Sequence, residues 1–117
     1  MYLSVDQVRN SSSRILIEDG FFVAEAIAVN GAILASVSFD QVVAVRVTDE
    51  GVRLGFLKNK KFEEDAVVEI FNSEFVSWLE SESMSTRNLA PLRHFSIFLG
   101  EEVIDVVSAC GPTIQLP

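Results

Sequence analysis

Asn30-Gly31 stands between two apolar runs, residues 21–29 and 32–39, and no other step limits the possible folds of this chain as much. Both central residues of a type I′ turn need positive φ, which Asn and Gly tolerate best, so Asn-Gly between apolar segments predicts a β-hairpin. Alanines at 24, 26, 28, 32 and 35 would also suit a helix over 21–29, but the β-branched residues around them favour strands.

The same grammar recurs along the chain. Ile15 and Ile17 alternate with Leu16 and Glu18 before a turn or bulge at Asp19-Gly20. Over residues 42–48, Val43, Val45 and Val47 share one face, and Ala44, Arg46 and Thr48 the other. Asp49-Glu50-Gly51 predicts a hairpin loop with Gly51 left-handed, and residues 52–57 a returning strand. Lys58-Asn59-Lys60-Lys61 and Glu63-Glu64-Asp65 read as solvated loops, and residues 66–71 as a further strand. Strands over 94–99 and 103–108 are joined by a turn at Gly100-Glu101. A short edge strand at 113–116 follows Gly111-Pro112.

One segment has helical spacing. Phe75, Trp78 and Leu79 fall at i, i+3 and i+4, giving an apolar stripe over about 73–84 with Trp78 as a core anchor. Asn72 is the expected N-cap, with Phe71 and Val76 as a hydrophobic staple and Glu74 in the first turn. A loop over 85–92, with Pro91 near its end, closes the unit. The first dozen residues read either as a short helix started by Ser4 or as an arm. The expected fold is therefore α+β, one domain over 1–117. It has a mainly antiparallel, curved sheet of roughly seven to nine strands, above the usual five or six, covered by the helix at 73–84. Two packed layers are the alternative arrangement.

At 117 residues the chain can bury a core without staples. Nine phenylalanines against one tyrosine and one tryptophan point to aromatic core filling. The net charge of −8 argues against nucleic acid, whose binding needs clustered Lys and Arg, and against an anionic membrane surface. The single cysteine, Cys110, forms no intramolecular disulfide, which fits a reducing compartment. Asp6 and Arg9 stand where a signal peptide would be apolar, and Glu25 and Asn30-Gly31 interrupt the most apolar stretch, so the expected location is cytoplasmic.

No nucleotide-binding, zinc-protease, nucleophile-elbow or Cys-x-x-Cys motif occurs, and no cofactor or metal is expected. Two residues stand out. His94 is the single histidine, suited to acid–base chemistry but more often structural. Asp105 lies among Val103, Ile104, Val106 and Val107, so it either faces solvent from an edge strand or pairs with a base, with Arg46 and Arg93 as the candidates.

The leading expectation is a non-catalytic module that presents an acidic face, from Glu101, Glu102, Asp105 and the helix glutamates, to a basic protein. In size and charge the chain is similar to some immunity proteins of toxin–immunity pairs. The first alternative is a small enzyme or ligand-binding domain with a phenylalanine-lined pocket holding His94 and an arginine, Arg46 or Arg93. The second is a homo-oligomeric component, dimerising through an edge strand such as 113–116.

Overall fold

The computed structural model describes residues 2–59, 64–83 and 91–117. Eight strands form two four-stranded sheets, antiparallel throughout. The first has the order β1 (Ser12–Glu18), β2 (Phe21–Ile27), β3 (Ile33–Phe39), β8 (Thr113–Gln115). The second has the order β4 (Val42–Asp49), β7 (Glu102–Ser108), β6 (Arg93–Leu99), β5 (Val67–Ile70). The described residues also form two short α-helices, α1 (Leu54–Asn59) and α2 (Glu74–Glu82). With 50% strand against 20% helix the protein is mainly β, and the expected single curved sheet is instead two sheets.

Alternation explains the layering. Phe22, Ala24 and Ala26 of β2 and Ala35, Val37 and Phe39 of β3 point to one side and meet Val67, Phe95, Ile97, Ile104 and Val106 of the second sheet in a shared core. The Phe39 ring lies 6.0 Å from Phe22 in its own sheet and 5.4 Å from Phe95 in the other, so it joins the two layers. A bulge between Val42 and Ala44 shifts the face of β4, which lets both Val42 and Val45 pack on that core. The N-terminal segment is docked rather than loose. Leu3 and Val8 are buried, Val5 N donates to Glu64 O (2.7 Å), and Ala66 N donates to Leu3 O (2.8 Å). Residues Val5–Val8 form a 3-10 turn closed by a capping box between Ser4 and Gln7.

Both early hairpins form, with their turn chemistry exchanged. Asp19 (φ 49°) and Gly20 (φ 78°) make the two-residue turn with both centres left-handed, between paired residues Glu18 and Phe21. At Asn30-Gly31 only the glycine has positive φ (88°). Gly31 N donates to Ala28 O, Ala28 N donates to Ala32 O, and the Asn30 side chain accepts from Ala32 N at 3.0 Å. The longer loop absorbs the register shift between Ala26 and Ile27.

Residues 52–57 do not return as a strand, and Gly51 is not left-handed. The Asp49 carboxylate accepts from Gly51 N and starts a 3-10 turn at Glu50–Val52, which leads into α1. The hairpin fails because β4 takes its partner from far along the chain, pairing with β7 instead of with the segment that follows it. Lys58 and Asn59 consequently end a helix, and the Lys60, Lys61 and Glu63 expected in loops lie outside the described residues, as do 85–90 of the loop expected over 85–92 and residue 84, the expected last residue of the long helix.

Helix α2 is capped by Ser73, not Asn72; the Ser73 hydroxyl accepts from Val76 N at 3.1 Å, and Asn72 takes a left-handed conformation (φ 54°). The staple is absent, with Phe71 75% exposed. Of the apolar stripe only Phe75 is buried, while Trp78 is 56% exposed and stacks on Phe75 from outside with ring centroids 6.2 Å apart. Trp78 is thus no core anchor. No helix among the described residues is long and apolar enough to cross a membrane.

Candidate functional site

Strand β7 lies between β4 and β6 and is covered on both faces. Ile104 and Val106 enter the shared core, so Val103, Asp105 and Val107 point the other way, toward α1 and α2. Asp105 is fully buried there, not exposed on an edge. The register puts Arg46 of β4 directly opposite on one side and Ser96 of β6 on the other. His94, two residues before Ser96, reaches it diagonally, and Arg53 enters from the turn before α1.

The bonds divide cleanly between the two carboxylate oxygens. Oδ2 accepts from Arg46 Nε (3.1 Å), Arg46 Nη2 (3.0 Å) and Arg53 Nη1 (2.9 Å). Oδ1 accepts from Ser96 Oγ and lies 2.8 Å from His94 Nε2. Arg53 Nη1 also reaches Thr48 Oγ1 at 2.9 Å. Burial alone would push the Asp105 carboxyl up; donation by His94, Ser96 and Arg53 and the nearby charge of Arg46 outweigh it and hold the group well below the usual carboxylate range.

That anion sets the direction of a hydrogen-bond chain. A carboxylate can only accept, so a neutral His94 places its one N–H on Nε2 and leaves Nδ1 bare. Ser73 Oγ lies 2.7 Å from Nδ1 and therefore donates to it. Its lone pairs remain, and one accepts from Val76 N as the helix cap. The result is a continuous path from Ser73 through His94 to Asp105, with the histidine 4% exposed and the serine half-buried. Phe75 seals the imidazole edge-on, with centroids 5.7 Å apart.

A cavity of about 310 Å³ opens beside this path, lined by Arg46, Arg53, Phe56, Phe75, Ser73 and His94 among others. The guanidinium carbons sit over aromatic rings, Arg46 4.4 Å from the Phe75 centroid and Arg53 4.2 Å from that of Phe56. Arg53 is 15% exposed at its side chain and Arg46 44%, so one is fixed in the wall and the other reaches the mouth.

His94, Arg46 and Asp105 are thus brought together. Glu101 and Glu102 are not part of this cluster. Glu102 points to the opposite face of β7 from Asp105, and its carboxylate accepts from Ser13 Oγ of the other sheet. Glu101 is exposed in the hairpin turn, where its carbonyl accepts from Glu50 N. Asp105 is fully buried and ion-paired with Arg46 and Arg53, so it is not part of an exposed acidic face. Arg93 lies on the core side of β6, bonded twice to Glu69 at 2.9 Å, which holds the Glu69 carboxyl below its ordinary range.

Sequence reasoning missed Arg53 and Ser73. Arg53 was hidden by the strand expected over 52–57. Ser73 was overshadowed by the neighbouring Asn72, although serine caps a helix equally well. Among the described residues, no group of three or more His, Cys, Asp or Glu is placed to hold a metal ion. No protein-family model matches the chain, and no match to it was found among curated proteins or solved structures.

Proposed function

We propose that the protein is a binding domain for a small anionic ligand, held by Arg46 and Arg53 in the cavity between β4, α1 and the start of α2. One observation carries this reading. Two guanidinium groups share a single carboxylate oxygen, so with a neutral imidazole Arg46, Arg53 and Asp105 together carry one positive charge on the inner wall of the cavity, faced by Glu74 at its rim. The two arginines have one carboxylate between them, and a carboxylate or phosphate on the ligand would supply a second counter-charge through the N–H groups left on their planar forks. Phe56 and Phe75 offer apolar walls for the rest of the ligand.

Inorganic phosphate and succinate are the probes, titrated while the Trp78 indole and arginine side-chain NMR signals are followed. Arg46→Ala should weaken binding by roughly tenfold, about 1.4 kcal/mol. Glu74, exposed at the rim of the cavity, repels an anion, and Glu74→Gln should tighten binding several-fold. No saturable binding to the unmodified protein, or equal affinity after Arg46→Ala, overturns the reading.

A second reading keeps the basic protein partner and moves the contact to α2. Glu74, Trp78 and Glu82 follow one another at spacings of four and are all exposed, which gives an aromatic anchor between two carboxylates. Its affinity should fall steeply between low and high salt.

A further inference from the structure

We propose that Ser73 is an acyl-accepting nucleophile, with His94 as its base and Asp105 positioning the imidazole, and that the substrate is an ester of a small carboxylic acid bearing a second anionic group. The choice of substrate rests on the anion-binding reading above; the nucleophile rests on its own geometry. Three relations carry it.

First, the proton path is complete and oriented. Ser73 Oγ is 2.7 Å from His94 Nδ1, and His94 Nε2 is 2.8 Å from Asp105 Oδ1, both within the reach a nucleophile and its base require. The two ring nitrogens are used in the opposite sense to the serine protease arrangement, which alters the tautomer but not the proton transfer. Second, access is graded along the path. Asp105 and His94 are buried, while Ser73 is half-buried and lines the cavity that also holds Arg46 and Arg53. A helix cap alone needs the Val76 amide and no histidine behind it. Third, Ser73 immediately precedes α2, whose first-turn amides at Glu74 and Phe75 have no acceptor within the helix and stand at its positive end. They are suitably placed donors for an oxyanion formed next to Ser73.

The chemistry balances without a further reagent except water. Ser73 Oγ bonds to the ester carbonyl carbon as its proton moves to His94 Nδ1. The carbon–alkoxy bond breaks, the departing alkoxide takes that proton from Nδ1, and the acyl group stays on Ser73. Water then attacks the acyl carbon, gives a proton to Nδ1, and the acid leaves as the proton returns to Ser73 Oγ. Asp105 remains a carboxylate throughout, held so by Arg46 and Arg53.

The test uses phenylmethylsulfonyl fluoride labelling of the full chain, located by peptide mass, together with hydrolysis of the 4-nitrophenyl monoester of succinic acid. Ser73→Asn keeps a side chain that caps the helix, so it removes the nucleophile while preserving the fold, which circular dichroism checks. The expected results are a sulfonyl adduct on Ser73, no adduct in Ser73→Asn, and labelling and hydrolysis reduced on the order of 100-fold or more in His94→Gln. No adduct on Ser73 while phosphate still binds overturns the nucleophile and leaves the binding reading standing. Labelling of Ser73 with no preference for the succinyl ester over 4-nitrophenyl acetate overturns the substrate class. Undiminished labelling in His94→Gln overturns the histidine's role.

Discussion

Asp105→Asn should lower the unfolding free energy at neutral pH by about 3–5 kcal/mol, the cost of removing one partner from a buried charge network. Four side chains converge on this one carboxylate, and two of them are guanidiniums. An amide offers a single accepting oxygen and turns an N–H₂ toward donors, leaving both arginines without their counter-ion. For a domain whose total stability is about 5–15 kcal/mol, that loss is a large share. The pH dependence has a definite sign. The folded Asp105 carboxyl is held below its unfolded value, so its contribution is fully present above the ordinary carboxylate range and is lost as pH falls through the lower, folded value. Urea unfolding should therefore separate the variant widely from the parent at pH 7 and much less in strong acid. Coincident urea midpoints at pH 7 would show that the network contributes nothing net.

Phe39→Ala should cost about 3–5 kcal/mol, as large-to-small changes at a fully buried aromatic do. Phe39 is 1% exposed and touches a ring in each sheet, so the cavity left behind would open at the junction of the layers. Phe71→Ala is the control, since a side chain exposed at 75% should change stability by less than about 0.5 kcal/mol. If the two variants unfold at the same urea concentration, the two sheets do not depend on a common core.

The strands were legible wherever a local pattern sufficed. Alternation marks β4, β6 and β7 closely, and the break at Gly111-Pro112 marks β8. Faces follow from alternation, but neighbours do not: nothing local tells β4 to pass over residues 52–57 and pair with β7. That gap concealed Arg53, and with it half of the guanidinium pair. Arg46 could be named as a partner for Asp105 because an arginine in a valine strand also needs a counter-charge. Arg93 was an equal candidate until register was known. It shares a strand face with Phe95, on the opposite side of the sheet from Asp105, and stands across from Ser108. Helical spacing over 73–84 locates α2, which spans Glu74–Glu82, but overstates how much of it is buried. Periodicity reports which residues share a stripe, whereas the depth of docking depends on what lies beneath, and of this stripe Phe75 is the buried member, packed against His94.

The placement of Asp105 in the middle of a doubly covered strand also bears on how the chain avoids mispairing. If β7 slid by one position between β4 and β6, every side chain would change faces. Asp105 would then enter a layer of Phe39, Phe95 and Ile97, none of which carries a hydrogen to donate, while Ile104 and Val106 would be thrust among arginines. Valine-rich strands taken alone are nearly indifferent to such slippage. A single carboxylate, matched by Arg46 on one neighbour and Ser96 on the other, makes the two correct alignments mutually dependent, so that β4 and β6 can each accept β7 in one frame only.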